Sequence, residues 1–434
     1  MRSKWAWWLS QIARRIWFRA TLFSVLAVAT ALLAAVAAPY IPATLPGQIG
    51  ADAVDNILSI IASSMLAVTT FSLSTMVSAY SAASSSVTPR ATSLIMEDST
   101  TQNVLATFIG SFLFSLVGII ALTTGAYGET GRLVLFLVTI GVIILVVVTL
   151  LRWIDHLSRL GSVTETTERV EKATARALET LAAAPYLGGQ PLRDAQGWNS
   201  PTAAPVFAPH VGYVQHVDVG ALSNLAEEFD IDIAVVAIAG TLVSPNMPVG
   251  LTSRSVSKEV CDRIAASFSL AHVRSFDQDP RFGASVLTEI ASRALSPAVN
   301  DPGTAIDVIS RALRLLVQHA GNLAPADAEV SHPRLHVKPV ALADLFDDLF
   351  MPIARDGAAL VEVGLRLQKA FEALACLPNR EVRAEAHRHS AEALNRAEAA
   401  LVIDADKDRL RREAEAVRVL CIREDVSLTG ISRG

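Results

Sequence analysis

Four long apolar stretches occupy the first third of the chain, and short polar segments separate them. Each stretch is 19 to 24 residues long and contains no Asp, Glu, Lys, Arg or His. A helix rises about 1.5 Å per residue, so roughly 20 residues cross a hydrocarbon core of about 30 Å. The pattern therefore predicts four transmembrane helices, at Ala20–Ala38, Ile57–Tyr80, Val104–Thr124 and Leu133–Leu151.

The rest of the chain alternates between polar helical periodicity and short β-branched runs. Residues 152–183 predict a helical connector in which Thr164–Ala183 continues from the fourth span, and the Pro- and Gly-rich segment 184–209 predicts a linker. Residues 210–280 predict an α+β segment, and residues 281–434 predict mainly helices. The expected fold class is a membrane domain of four transmembrane helices, residues 20–151, followed by a cytoplasmic α+β, mostly helical domain.

Composition supports this division. Only 18% of the 434 residues are charged, against roughly 25% in soluble proteins, and 51% are hydrophobic. The first 151 residues hold 7 of the 37 Lys and Arg and 5 of the 42 Asp and Glu. No basic run suggests nucleic acid as a partner. The three cysteines lack CxxC spacing, which is typical of reduced thiols in a cytoplasmic compartment.

The distribution of basic residues predicts the orientation. They precede the first span, lie between the second and third, and follow the fourth: Arg2, Lys4, Arg14, Arg15, Arg19, Arg90, Arg152 and Arg159. By the positive-inside rule these segments face the cytoplasm. We therefore expect a multi-pass protein of the bacterial inner (plasma) membrane with both termini cytoplasmic, starting with a basic, Trp-rich segment at residues 1–19. The first apolar stretch is too long for a typical signal peptide, so we expect it to be retained.

The second span carries a row of hydroxyl side chains. Small residues recur at helical spacing along one face, and the polar ones are Ser59, Ser63, Thr70, Ser74, Ser78 and Ser81. This face predicts either of two roles. Hydroxyl groups lining a water-filled path would offer donors and acceptors to a permeant ion or small molecule, whereas small residues would let two helix backbones approach closely in lipid. Both roles are compatible with a homo-oligomer in the lipid bilayer.

A second distinctive segment is Phe276–Ala305, FDQDPRFGASVLTEIASRALSPAVNDPGTA. Each of Asp279, Ser296 and Asp301 stands directly before a proline, the arrangement of a helix N-cap followed by its first residue. Three helix starts are therefore expected. Carboxylates and an amide oxygen could alternatively converge on a cation, and the candidates are Asp277, Asp279, Asn300 and Asp301.

These residues also carry a family resemblance. The motifs SFDQDPRFG, RALSPAVNDPGTA and GTLVSPNMP resemble a bacterial family of predicted membrane proteins called domain of unknown function 2254. The resemblance extends over nearly the whole chain and implies the membrane topology, but no reaction, cofactor or substrate. Within the ALSPAVNDP core we expect a turn built from Arg293, Ser296, Pro297, Asn300, Asp301 and Pro302.

No motif indicates an enzyme. HExxH, GxSxG and Walker patterns are absent from the sequence, and the nine histidines form no ligand set at metal-binding spacing. No cofactor or metal site is expected. Two hypotheses remain: a homo-oligomeric pore or permeation protein with a cytoplasmic gate or vestibule, and a membrane-anchored regulatory, sensor or scaffold protein whose cytoplasmic domain binds a ligand or partner.

Overall fold

A computed structural model describes residues 12, 16–37, 51–96, 98–124, 129–192, 198, 203–319 and 329–430. The chain divides into two compact units between Thr166 and Thr167, inside the segment predicted as a connector. We call the first the membrane unit and the second the C-terminal unit, and describe each separately. Most of segment 1–19 and of the loop before the second span lies outside the described residues.

The membrane unit is helical throughout its described part. Its helices are α1 (Ile16–Ala37), α2 (Ala51–Ser86), α3 (Thr92–Met96), α4 (Ser99–Thr123) and α5 (Glu129–Leu157). Three segments are long and apolar enough to cross a membrane: Ala53–Ser85, Thr92–Thr123 and Gly131–Leu157. These contain the predicted second, third and fourth spans.

The structure does not show that the first predicted span crosses the membrane. It forms α1, but the apolar stretch found among its described residues is limited to Trp17–Thr30. Within the described part of the chain the structure therefore shows three candidate spans, and a fourth is not confirmed. Helix α1 packs against α4, where a Cβ at Gly110 would lie 3.4 Å from the carbonyl oxygen of Phe23.

Helix α4 is the central helix of the membrane unit and contacts α1, α2 and α5. Two glycines allow the close approach: Gly110 faces α1, and a Cβ at Gly118 would lie 3.0 Å from Leu58 of α2. Leu58, Phe114 and Leu135 are buried together around this contact. Small residues on α4 thus let the neighbouring helices approach closely. Such packing does not depend on the hydrophobic effect and is typical of membrane helices.

The predicted continuous helix from the fourth span into Thr164–Ala183 is wrong. Helix α5 ends at Leu157, a turn follows, and α6 (Val163–Ala183) starts separately. Gly161 adopts a φ of 81°, and a Cβ there would lie 3.0 Å from the carbonyl oxygen of Ala79. The left-handed backbone and this close approach break the helix, and only glycine accommodates both easily.

The C-terminal unit combines eight short strands with nine further helices among its described residues. After α6 come a 3-10 turn (Pro185–Gly188), β1 (Gln190–Pro191), β2 (Ala204–Phe207), β3 (Gly212–Val217), α7 (Val219–Glu228), β4 (Ile233–Val235), β5 (Leu242–Val243), β6 (Pro248–Thr252), α8 (Lys258–Ala266) and β7 (Phe268–Ala271). There follow α9 (Pro280–Ala294), α10 (Pro302–His319), β8 (Leu335–Val337), α11 (Leu342–Asp356), α12 (Val361–Ala375), α13 (Arg380–Ala400) and α14 (Asp404–Gly430).

The strands form two sheets. The larger has the order β1-β8-β4-β6-β2, in which β1, β8 and β4 run parallel and the other pairs are antiparallel. The smaller is antiparallel with the order β5-β3-β7. One apolar core, including Val214, Leu222, Ile233 and Val249, joins both sheets to α7 and α8. The expected combination of helices with some sheet is confirmed for the C-terminal region, and the sheet also takes strands from outside residues 210–280.

The Pro- and Gly-rich segment 184–209 is more than a linker. It supplies β1 and β2, which are the two edge strands of the larger sheet. Both strands contain a proline, Pro191 and Pro205. Proline cannot donate a hydrogen bond to a neighbouring strand, so it is tolerated at a sheet edge but weakens the sequence signal for a strand. The other strands are also shorter than predicted: Ile231–Ala239 contributes only β4.

Helix α6 packs on α9 at a very close crossing. A Cβ at Gly283 of α9 would overlap Thr174 Oγ1 and lie 2.8 Å from Thr174 Cβ. Beside this contact, Glu171 of α6 accepts hydrogen bonds from Arg311 at 2.6 Å and from Arg314 at 2.8 Å, both on α10. The Glu171 and Arg311 side chains are mostly buried. We call this arrangement the α6 clamp, because it fixes α6 against two helices.

A buried histidine lies in the helical core. His389 of α13 is 2% exposed and is surrounded by Phe346, Phe350 and Phe371. Burial, and next the adjacent Arg388 guanidinium, lower the pKa of His389 to about 4. Arg388 Nη2 lies 3.0 Å from His389 Nε2, and Asp347 Oδ1 lies 3.2 Å from the same nitrogen.

Replacing Gly283 by Ala should destabilise the C-terminal unit. The added Cβ overlaps Thr174, so we expect a loss of about 1–3 kcal/mol, typical of overpacking. Thermal or urea denaturation of the detergent-solubilised full chain measures this. The matched control is Gly220→Ala, where a Cβ would meet only Asp218 at 3.6 Å. A Gly283→Ala protein as stable as the control would contradict the close crossing.

His389 should make stability fall between pH 6.5 and pH 4. The unfolded chain binds a proton near pH 6.5 and the folded chain only near pH 4, so folding opposes protonation in this window. The difference corresponds to about 3 kcal/mol at 1.36 kcal/mol per pKa unit. His389→Leu should remove this part of the pH dependence of unfolding, whereas His387→Leu, at an exposed site on the same helix, should not. Equal slopes in both variants would argue against a buried neutral His389.

Candidate functional site

The predicted hydroxyl row lies on the exposed face of α2. Ser59, Ser63, Thr70, Ser74, Ser78 and Ser81 are all exposed in the single chain. The opposite face is buried against α4 and α5 through Leu58, Ile61, Met65 and Ser72. Among the described residues, nothing in the chain packs over the hydroxyl row. Packing among the described residues of one chain therefore does not explain why these residues are small. The remaining interpretations are that the row meets water, lipid or a second copy of the chain.

Several hydroxyl groups of α2 donate to the helix's own backbone. Ser63 Oγ donates to Ser59 O at 2.9 Å, and Thr70 Oγ1 donates to Leu66 O at 2.9 Å. Their protons are thus satisfied inside the helix, as occurs for Ser and Thr in apolar surroundings. What these groups still offer outward is an oxygen acceptor. Large apolar side chains, among them Ile60, Leu66, Phe71 and Leu73, are exposed on either side of the row.

The C-terminal half of the hydroxyl row extends past the apolar part of α5. Trp153 Nε1 donates to Ser72 Oγ at 2.9 Å, and Trp153 directly follows Arg152, which ends the uncharged stretch of α5. Further along, Gly161 lies against Ala79. Helix α2 is 36 residues long, about 54 Å at 1.5 Å per residue, which exceeds a hydrocarbon core of about 30 Å. Ser59, Ser63 and Thr70 lie beside the apolar part of α5, and Ser74, Ser78 and Ser81 lie beyond it.

A polar cluster joins α4 and α5 at this same end. His156 Nε2 lies 2.9 Å from Asp98 Oδ2 and 3.2 Å from Thr101 Oγ1, and the His156 ring stacks on Trp153. Asp98 also caps α4 by accepting from the backbone N–H of Thr101 at 2.9 Å. Through Trp153 and Ser72 the cluster reaches α2, so all three candidate spans are tied at one level. We call it the Asp98–His156 cluster.

The sequence pattern did not predict the Asp98–His156 cluster. Asp98 and His156 are 58 positions apart, and no spacing rule connects them. The available signal was local: Asp98 before Ser-Thr-Thr is a typical N-cap, and Trp153 and His156 share a helix face at i, i+3 spacing. Neither signal alone predicts the pair.

The motif SFDQDPRFG and the preceding Arg274 form a compact hydrogen-bonded turn around the buried Asp279. Arg274 donates to both carboxylate oxygens of Asp279, at 2.7 and 2.9 Å, and Asp279 caps α9 by accepting from the Phe282 N–H. Gly240, in the motif GTLVSPNMP, has a φ of 88°, and a Cβ there would overlap the Asp279 carboxylate. Two of the three motifs are thus joined at Asp279, which explains their residue types through packing and hydrogen bonding.

The turn at RALSPAVNDPGTA departs from the expected three helix starts. Pro280 and Pro302 begin α9 and α10, as predicted, but no helix starts at Pro297. Instead Ser296 Oγ donates backwards to Arg293 O at 2.6 Å, and Asn300 takes a φ of 52°, which ends the turn. A left-handed residue three positions after Pro297 leaves no room for a first helical turn. Arg293, Pro297 and Asn300 are exposed.

Asp301 is a helix cap. Its carboxylate accepts from the Thr304 hydroxyl at 2.6 Å and from the Thr304 N–H at 3.1 Å, and these bonds lower the pKa of Asp301. The alternative cation site is not formed, since both oxygens of Asp279 are engaged by Arg274. Among the described residues no group of three or more His, Cys, Asp or Glu side chains is placed to hold a metal ion.

Comparison with known proteins decides the family. The family model for predicted membrane proteins called DUF2254 matches residues 13–373. This chain belongs to the DUF2254 family. The resemblance inferred from the motifs is thereby confirmed, and the protein is a predicted membrane protein of a family without an assigned function.

DUF2254 relatives occur in mycobacteria. The chain is 28% identical over 262 residues to an uncharacterised protein of Mycobacterium bovis and, equally, to one of Mycobacterium tuberculosis. Each match covers 58% of this chain and 50% of the relative, so the match spans half the length of these relatives. No solved structure matches the chain.

Asp98→Ala should destabilise the membrane unit. The change removes the cap of α4 and leaves His156 without its carboxylate, for an expected loss of about 1–3 kcal/mol. Thermal unfolding in detergent, followed by tryptophan fluorescence because Trp153 stacks on His156, measures it. The control is Asp155→Ala, whose carboxylate is 71% exposed and, among the described residues, pairs with exposed Arg159 in the turn after α5. That variant should change stability by less than about 1 kcal/mol, and equal losses in the two variants would refute the cluster.

Proposed function

We propose that this protein is a homo-oligomeric pore of the bacterial inner membrane in which α2 lines the path. The observation that carries the proposal is the position of the hydroxyl row: it lies on the side of α2 that no described residue of the protein packs against. In a ring of copies around an axis, such a face would point inward. The exposed apolar residues beside the row would then meet neighbouring copies or lipid.

The chemistry of the row fits passive permeation. Between Asn56 and Pro89 the sequence contains no charged residue. Pumps and ion-coupled carriers use ionisable groups within the membrane, so a proton-coupled mechanism has no group to act through on this stretch of α2. Hydroxyl oxygens whose protons are bonded to the helix backbone offer acceptors to a permeant, as selectivity filters do with carbonyl oxygens.

The proposed topology has four spans, including α1, with both termini in the cytoplasm. Arg90, Arg152 and Arg159 would then lie on the cytoplasmic side, as the positive-inside rule requires. Ser59, Ser63 and Thr70 would line the membrane part of the path. Ser74, Ser78 and Ser81 would line its inner mouth, where α2 extends past Arg152.

Leucine replacements test the path. The triple variant Ser59→Leu, Ser63→Leu, Thr70→Leu should reduce unitary conductance in a planar bilayer at least tenfold, because it fills the path with apolar side chains. The inner triple Ser74→Leu, Ser78→Leu, Ser81→Leu should reduce it less, since water widens access at the mouth. The control is Ile140→Leu, Ile144→Leu, Val147→Leu, on the exposed face of α5, which should conduct like the unchanged protein.

Oligomeric state is checked first, by cross-linking or native mass spectrometry. Unchanged currents in the first triple, with assembly intact, would exclude α2 as the lining. Monomeric protein in native-like membranes would exclude the ring itself.

The second candidate function is a membrane-anchored regulatory, sensor or scaffold protein. The α6 clamp favours it, because the first helix after the membrane unit is held tightly by α9 and α10. A ligand or partner bound to the C-terminal unit would then act on a helix covalently joined to the spans. Under this function the α2 face would serve assembly, and the leucine variants would alter oligomerisation without affecting any current.

A further inference from the structure

The hydroxyl row of α2 leads to a carboxylate at the end of the helix away from Arg152. Asp55 lies four positions before Ser59, and Ser59 lies four before Ser63, so these side chains are neighbours along the helix surface. Asp55 is partly buried, because it stands where the row borders the face that packs on α4. Helix α2 contains no Lys or Arg, and its charged residues are Asp52 and Asp55.

The contacts of Leu58 locate Asp55 within the membrane unit. A Cβ at Gly118 of α4 would lie 3.0 Å from Leu58 and 3.7 Å from Leu135 of α5. Asp55 precedes Leu58 by one helical turn, which is about 5.4 Å along the axis. Arg132 precedes Leu135 by the same interval. Asp55 and Arg132 therefore belong to the same end of the membrane unit, opposite to the Asp98–His156 cluster.

The Asp55 carboxylate has no compensating group within the described part of the chain. Its Oδ1 is shielded from solvent and accepts no hydrogen bond there. Arg132 does not pair with it, and Arg132 Nε also has no partner among the described residues. A carboxylate that is partly withdrawn from water without a counter-charge is destabilising. The group is therefore available to a positive charge that comes from outside the chain.

The hydroxyl groups that follow Asp55 present the same polarity. Ser63 and Thr70 donate their protons to the helix backbone, so their oxygens face outward as acceptors. The row thus presents a carboxylate followed by hydroxyl oxygens. Oxygen atoms of this kind replace the hydration shell of a cation, whereas they offer an anion no donor.

The sequence segments at this end are acidic. Residues 39–56 contain Asp52 and Asp55 without Lys or Arg, and residues 125–132 contain Glu129 and Arg132. Each copy therefore has three carboxylates and one guanidinium here, a formal charge of −2. An entrance with an excess of one sign of charge concentrates ions of the opposite sign.

We infer that Asp55 forms a cation site at the mouth of the proposed pore and makes the pore selective for cations over anions. The inference rests on the proposed function, because a ring of copies brings one Asp55 from each copy to the same level. These carboxylates repel one another, and a cation among them removes the repulsion. The cation then passes Ser59, Ser63 and Thr70 along the path.

Reversal potentials across planar bilayers test the selectivity, with the full chain reconstituted and a KCl gradient applied. The unchanged protein should pass K⁺ at least about tenfold better than Cl⁻. Asp55→Asn keeps the side-chain shape without the charge, so K⁺ and Cl⁻ should pass about equally. Asp55→Lys should favour Cl⁻, and Asp55→Glu should preserve the K⁺ preference.

Two controls separate Asp55 from other charges. Asp155→Asn removes an exposed carboxylate at the opposite end of the membrane unit and should leave the K⁺ preference unchanged. Arg132→Gln removes the basic residue at the same end and should not lower this preference. Currents that carry K⁺ and Cl⁻ equally in the unchanged protein would overturn the cation assignment and leave the pore intact. A K⁺ preference that persists in Asp55→Asn and Asp55→Lys would overturn the role of Asp55.

A second measurement does not depend on current. K⁺ held among the Asp55 carboxylates should raise the melting temperature of the assembled oligomer above its value in N-methyl-D-glucamine chloride, and Asp55→Asn should abolish this difference. An assembled protein that shows the difference but carries no current would overturn the pore and support the cation site. If the unchanged oligomer shows neither the difference nor a K⁺ preference, the cation site is wrong.

Discussion

The organisation of the C-terminal unit depends on the close crossing of α6 and α9. Gly283 leaves room for the Thr174 side chain of α6, which a Cβ would overlap, and Glu171 of α6 accepts hydrogen bonds from Arg311 and Arg314 of the neighbouring α10. A mostly buried carboxylate without these partners would be strongly destabilising. The crossing and the ion pairs therefore hold α6 against two neighbouring helices. Together they determine where the chain that leaves the membrane unit enters the helical layer.

The motif residues show how local chemistry and long-range packing combine. Asp279 was identifiable in the sequence as a helix cap, because an Asp before a proline predicts one. The other two roles of this carboxylate were not predictable: it binds Arg274, and it leaves no room for a Cβ at Gly240. Nothing in the sequence indicates which turn faces Asp279. At Ser296 the local rule failed. The Ser-Pro pair has the form of a helix start, but Asn300 in the left-handed region stops the chain from continuing.

Periodicity identified the helices well and the strands poorly. The predicted helix Gly220–Phe229 is α7, at Val219–Glu228, because its apolar face repeats over nearly three turns. Strands of two to six residues carry too few alternations, and those with prolines at the sheet edge carry a signal for a loop. The exposed face of α2 was visible as a row of small residues, but only the packing of α4 on the other side shows that the row is uncovered. The Asp98–His156 cluster joins segments that are distant in the sequence, and the pattern of hydrophobic and polar residues did not predict it.

Helix α2 is unbroken over its whole length, from beside the apolar part of α5 to well past Arg152. Such a helix behaves as a stiff rod, so a rotation about its long axis at one end appears undiminished at the other. Successive residues are about 100° apart around that axis, following from 3.6 residues per turn. A rotation of that size would replace the hydroxyl row by the neighbouring apolar residues, among them Phe71. Because Leu58 and Met65 pack against α4 and α5 and Ser72 accepts a hydrogen bond from Trp153, such a rotation would break these contacts, so the packing on one face of α2 determines which face is left uncovered.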